Sequence, residues 1–196
     1  MKITRKRLRR LILEMAMKGP ADLDPYVTFE ISRDLSQRPL VDSLTGKTFL
    51  HNSIEIDMVY MGSKLAGYIH MNQRIDPENP DPMCQPWIVT NAKVSEYVEA
   101  VQDTGPLLYD IAMELAGESG LVSDRSGSSI DAARVWIFYA MKRPDVTHRS
   151  MKGCNIRSPK YTIGTKHRAR YATRIFTRVL GTPSVILALG DRIRYV

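Results

Sequence analysis

A strand-like run that leads, within ten residues, into a Gly-Pro pair opening an amphipathic helix is the feature that most restricts how this chain folds. Trp87-Ile88-Val89 with Val94 reads as the strand, Gln102-Asp103-Thr104-Gly105 as the loop, and Pro106 to about Gly117 as the helix. Leu107, Leu108, Ile111, Ala112, Leu115 and Ala116 recur at helical spacing. Asp110, Glu114 and Glu118 fall on the other side, so one face of the helix packs on a sheet. Pro106 suits the first helical position, where its missing amide costs nothing. A helix that begins so abruptly leaves backbone amides free beside the positive end of its dipole, and Gly105 lets a phosphate approach that backbone closely. An ordinary strand-loop-helix junction is the plain alternative.

The flanking sequence extends the pattern. Ile54 to Tyr60 and Leu65 to Asn72 are strand-like runs joined at Gly62-Ser63, the spacing of a hairpin. Gly120 ends the helix, Leu121-Val122-Ser123 is a short strand, and Ser128 or Ser129 caps a second helix from Ile130 to about Met141. Pro77 to Pro86 holds four prolines and reads as a loop, as does Leu35 to Thr48 with Pro39 and Gly46. The fold class is α/β (α+β): a central mixed, mainly antiparallel sheet flanked by helices. Residues 1–20 are expected to form a basic N-terminal helix, 21–146 the body, and 147–196 a basic C-terminal extension packed on the same domain.

This order of hairpin, strand, anion-binding loop, helix, strand and helix resembles the GNAT superfamily of N-acetyltransferases over roughly residues 26–146. The resemblance rests on Gln102 and Gly105, which match a loop motif of Gln/Arg-x-x-Gly-x-Gly/Ala; Leu107 stands where that motif has Gly or Ala. It implies that Gln102, Thr104, Gly105 and Leu107 hold the pyrophosphate of acetyl-coenzyme A. It also implies that a tyrosine on the second helix, best matched by Tyr139, protonates the departing thiolate. Trp136 occupies the other register. A phenol suits the acid role because it stays protonated at neutral pH. Tyr139 reads equally well as an aromatic packed on a very apolar helix. A base must also strip the attacking amine of its proton, and Glu55, Asp57 and Glu96 are the candidates.

Charge is unevenly spread. Residues 1–18 carry seven Lys/Arg and one acid, residues 142–178 eleven and one, and residues 19–141 eight against eighteen. An acidic body with two basic appendages points to an anionic partner, or to appendages docked on the body itself. The N-terminal stretch reads as a helix capped by Thr4, with Leu8, Leu11, Ile12 and Met15 on one side. It resembles the short basic leaders of proteins encoded by tailed phages. From about Thr165 to Leu180, Lys166, Arg170, Arg174 and Arg178 repeat every fourth residue along a helix opposite an apolar face. Like charges so spaced repel by roughly 0.2–0.5 kcal/mol per pair, which suggests nucleic acid, coenzyme A phosphates or the acidic body as counterpart. Arg192 to Val196 alternates like an edge strand.

Cys84 and Cys154 form no CxxC pair and read as reduced thiols in a cytosolic setting. No run is long and apolar enough to span a bilayer, and the start of the chain lacks the apolar core of a signal peptide. The scattered His51, His70, His148 and His167 suggest no metal cluster. Two functions follow as expectations. One is a cytoplasmic N-acetyltransferase that uses acetyl-coenzyme A and a small-molecule or protein amine, such as a polyamine, an aminoglycoside or a lysine side chain. The other is an inactive relative, phage-encoded, that binds nucleic acid or a virion protein through its basic segments.

Overall fold

The computed structural model describes residues 19–43, 46–79, 81–123, 130–152, 154 and 174–196. The leader helix expected at the N-terminus, the Ser128/Ser129 cap, Lys166 and Arg170 all lie outside them. The fold is mixed α/β. Strands β1 (Val27–Val41), β2 (Thr48–Tyr60), β3 (Lys64–Ile75) and β4 (Trp87–Val94) are followed by helix α1 (Gly105–Ala116) and β5 (Leu121–Val122). Helix α2 (Ile130–Lys142), β6 (Val146–Ser150), β7 (Arg174–Arg178), α3 (Val185–Leu189) and β8 (Ile193–Tyr195) complete the order. The strands form one sheet in the order β6-β7-β5-β4-β3-β2-β1-β8. Among the described strands only β4/β5 and β1/β8 are parallel. Among the described residues after 146, β6, β7 and β8 belong to this sheet, with β6 and β8 at its margins.

Alternation fixes the register of the long strands. Ile31, Ile56, Ile69 and Ala92 lie across β1 to β4 on one line and face the core, and a slip of one residue would turn each of them to solvent. Met61 and Gly62 both take positive φ at the β2/β3 turn, the conformation that matches strand twist in a tight hairpin. The core cluster also takes in Leu107, Leu108, Ile111, Ala112 and Met113 of α1, with Trp136 and Tyr139 of α2. Every buried apolar helical residue described belongs to this one face of the sheet. Burying side chains of this size contributes roughly 1.5–3 kcal/mol each.

Three expectations are corrected. Arg174–Arg178 is a strand, not the end of a helix: Ile175 and Phe176 are both buried and lie in separate apolar clusters, as neighbours on a strand covered on both faces must. The supposed loop from Leu35 to Thr48 shrinks to residues 42–47, because β1 continues through a register shift between Asp34 and Arg38, with Gln37 at φ 53°. Pro39 is tolerated there because β1 has a second neighbour, β8, only at Phe29–Ile31.

The third correction concerns the cysteines. Cys84 and Cys154 are joined in a disulfide across 70 residues of sequence. Tertiary structure sets the turn Pro82–Cys84 against the segment that follows β6, a proximity that spacing does not reveal. Arg149 supports the same junction by donating to the carbonyls of Met83, Glu118 and Ser119 at 3.0–3.2 Å. Gly120 is required nearby: it takes φ 74°, and a Cβ there would meet Ile175 Cγ2 at 2.5 Å and the Phe176 carbonyl at 2.9 Å. Closing a loop of this length removes roughly 4 kcal/mol of unfolded-chain entropy. Reduction with dithiothreitol is therefore expected to lower the melting temperature, and Cys84→Ser to lower it equally and abolish the response; an unchanged melting temperature on reduction contradicts this.

Candidate functional site

Two strands that start together and then part define the first element of the site. β4 and β5 pair at Trp87/Leu121 and Ile88/Val122, after which β4 continues to Val94 with, among the described residues, β3 alone beside it. The outer edge of Val89–Val94, about 20 Å of strand at the usual rise, thus borders a fork in the sheet. Ser123 sits where the strands part. It is buried, and its hydroxyl has no hydrogen-bond partner among the described residues, a rare condition in a folded protein.

The loop after β4 leads to the start of α1. Gln102 is exposed, Asp103 takes φ 65°, and the Thr104 hydroxyl is buried, donating to the Val101 carbonyl at 2.5 Å. Leu107 is 2% exposed in the core, and its amide donates to the Thr104 carbonyl at 3.0 Å. Of the four residues expected to hold a pyrophosphate, Gln102 and Gly105 therefore remain open to a ligand, while the side chains of Thr104 and Leu107 are turned inward. Gly105 has ordinary backbone angles, and a Cβ there would lie 3.6 Å from Val94 Cγ2, a normal contact. The fold does not itself demand glycine at 105.

Tyr139 lies on the core side of α1. It is 1% exposed, and its hydroxyl is 2.6 Å from the Pro106 carbonyl and 2.9 Å from Asp110 Oδ1, so one proton serves two acceptors. Burial, reinforced by the Asp110 carboxylate, pushes the phenol well above its usual 10. A phenol so placed keeps its proton, and the surroundings are those of the packing alternative. Trp136, the other register, meets Tyr109 edge-on and Phe176 in the core.

A charged network continues from Tyr139. Arg143 donates to Asp110 Oδ2 at 3.0 Å and, through Nε and Nη2, to both oxygens of Asp145 at 2.7 and 2.6 Å. Burial raises the Asp110 carboxyl, with Arg143 pulling the other way; hydrogen bonding from Arg143 lowers Asp145. Arg178, expected in a stripe facing phosphates, is turned inward. Its side chain is 12% exposed, lies 3.8 Å from Asp145 and 3.9 Å from Glu114, and donates to the Pro183 carbonyl at 2.7 Å. Glu114 in turn accepts from the Ser184 hydroxyl and the Val185 amide at the start of α3. Arg174 meets the His148 ring across the β6/β7 pair. Arg178 thus clamps β7 to Glu114 of the acidic body, whereas the contact of Arg174 is with His148 of the neighbouring strand.

Of the base candidates, Glu96 lies apart from Glu55 and Asp57. Glu96 is exposed in the turn after β4. Glu55 and Asp57 stand on the sheet face opposite the core, in two cross-strand rows: Glu30, Asp57, Tyr68 and Lys93, then Ser32, Glu55, His70 and Asn91. His70, which sequence spacing left without a role, has its Nε2 3.8 Å from Asp57 Oδ1 and its ring stacked on Tyr68 at 4.8 Å. Partial burial raises the Asp57 carboxyl, His70 opposes that, and Glu55 and Glu30 add to it. The signal for this pairing was the alternation of β2 and β3, which puts Asp57 and His70 on one face once the register is known.

No protein-family model, no curated protein and no solved structure matches this chain. Among the described residues, no helix is long and apolar enough to cross a membrane.

The network yields a stability prediction. Arg143→Met leaves Asp110 buried without its counterion and is expected to cost about 3–5 kcal/mol in urea denaturation, part of which returns in Arg143→Met/Asp110→Asn. The depressed Asp145 contributes stability in full above the unfolded carboxylate value near ~4 and loses it as pH falls through the lower folded value. The acid limb of the stability curve is accordingly expected to flatten in Asp145→Asn. An Arg143→Met variant as stable as the unmutated protein would remove the network from this role.

Proposed function

We propose that the protein is an N-acyltransferase of GNAT type that moves an acetyl group from acetyl-coenzyme A to an amine. The supporting observation is the fork: among the described residues, β4 has no second neighbour along an edge that runs from the Ser123 hydroxyl toward the first turn of α1. An extended arm containing amide groups gains backbone hydrogen bonds along such an edge as an added strand does. Its phosphates then reach the positive end of α1, where Gly105 is the residue that the fold itself does not require. Backbone amides of the same edge polarise a thioester carbonyl set between the strands. The order of hairpin, strand, loop, helix, strand and helix supports the same reading.

In this reading Tyr139 fixes the start of α1 by holding the Pro106 carbonyl, and Gln102 and Gly105 meet the cofactor. Binding to nucleic acid or a virion component through the basic segments takes second place, because Arg178 is already engaged inside the protein and Arg174 meets His148. Cytoplasmic action belongs to the proposal as well.

Titration calorimetry with acetyl-coenzyme A tests the cofactor site. The unmutated protein is expected to bind, and a ligand specific to the folded state raises the melting temperature. Gly105→Ala is expected to fold normally, since its Cβ makes an ordinary contact; Gly105→Val, with bulk in the path of the phosphates, is expected to lose binding. Absence of binding by the unmutated protein sinks the acyltransferase reading, whereas full binding by Gly105→Val moves the phosphates elsewhere.

Tyr139→Phe separates the two roles of the phenol. Loss of its buried hydrogen bonds is expected to cost about 1–3 kcal/mol of stability with turnover retained. Unchanged stability with turnover reduced about 10²-fold or more would restore Tyr139 as the acid.

A further inference from the structure

The helices α1 and α2 fill one face of the sheet with apolar side chains, and on the opposite face Met151 covers Val122 and Ile175, so an acceptor reaches the fork from the β3/β4 side of that face, where the strands carry polar groups. β4 is irregular at that point. Asn91 is opposite His70 and Val89 is opposite Met71, which makes Thr90 an extra residue in the strand. Its hydroxyl donates to the His70 carbonyl at 3.3 Å. A bulge of this kind bends the strand and re-aims the side chains beside it. His70 thus stands on the strand next to the fork, on the face open to solvent and beside the bulge, with its ring held by Tyr68 on one side and Asp57 at its Nε2 edge.

Resting on the acyltransferase reading, we propose that His70 is the general base for a primary amine acceptor approaching this open face, and that Asp57 is the positioning residue that orients its imidazole. The imidazole takes one proton from the ammonium. The freed lone pair forms the N–C bond as the C–S bond breaks, the second proton leaves with the thiol, and His70 returns its proton to water. An imidazole suits the role because one ring nitrogen can take the proton while the other keeps its own hydrogen-bond partner. The groups facing His70 are Asp57 and Glu55 from β2, Tyr68 from β3, and Asn91 and Lys93 from β4, with Glu30 of β1 one strand beyond Asp57. The carboxylates outnumber the lysine, so the face also tolerates an acceptor arriving as a cation.

Two measurements on the full chain test this. In nitrogen NMR spectra of the His70 ring at fixed pH, which require no turnover, Asp57→Asn is expected to change which ring nitrogen carries the proton, because the partner at Nε2 sets the tautomer. Steady-state thiol release from acetyl-coenzyme A, with spermidine and Nα-acetyl-lysine amide as acceptors, supplies the second. His70→Gln is expected to lower kcat about 10²-fold or more with the calorimetric affinity for acetyl-coenzyme A unchanged. Asp57→Asn is expected to lower kcat by a smaller factor than His70→Gln, with the affinity for acetyl-coenzyme A again unchanged. An unchanged tautomer in Asp57→Asn, or full kcat in His70→Gln, overturns the assignment while leaving the acyltransferase reading intact. Binding of acetyl-coenzyme A without transfer to either amine also overturns it. Failure of the unmutated protein to bind acetyl-coenzyme A removes the reading on which it rests.

Discussion

The burial of α1 against one face of the sheet is the constraint from which the rest of this structure follows. Leu107, Leu108, Ile111, Ala112 and Met113 all enter the main core, so the helix has little freedom to rotate or slide. Its placement makes the crossover between β4 and β5 parallel, and a parallel pair joined through a helix brings the ends of both strands to the side on which the helix begins. β5 is two residues long and β4 eight. That difference in length is what opens the fork.

The far end of the molecule is held by charge as well as by apolar contact. Arg143 and Arg178 gather Asp110, Asp145 and Glu114 from α1 and from the turn after α2, and Glu114 caps the start of α3. Buried ion pairs add little net stability over apolar substitutes, yet losing one partner is costly, because the other is left as an unpaired charge. The network therefore fixes which segments lie together more than it adds to stability. It also explains why a basic C-terminal region follows an acidic body: part of that charge is internal pairing.

The two faces of the sheet have different work. One is closed by helices, and the other carries Glu30, Asp57, Tyr68 and Lys93 in one row and Ser32, Glu55, His70 and Asn91 in the next. Antiparallel strands with one covered face naturally alternate in this way, so polar residues here need no functional explanation on their own. What sets Asp57 and His70 apart is their mutual contact and their position beside the irregularity in β4.

Local pattern alone determined the elements whose signals are short-range. The β2/β3 hairpin, β4, the start of α1 at Gly105-Pro106, β5, α2 and the edge strand β8 are legible because alternation, helical spacing and turn residues act within a few positions. Tertiary structure decided the rest. Arg174 to Arg178 has helical spacing but is a strand, because a slot between β5 and β6 needs a segment buried on both faces. Cys84 and Cys154 read as separate thiols because nothing local records a contact across 70 residues. Tyr139 was legible as an aromatic on α2, but its commitment to Pro106 and Asp110 depends on how two helices cross. The same holds for Asp57 and His70: each is visible in the sequence as one polar residue in an alternating strand, and only the register between β2 and β3 brings them together.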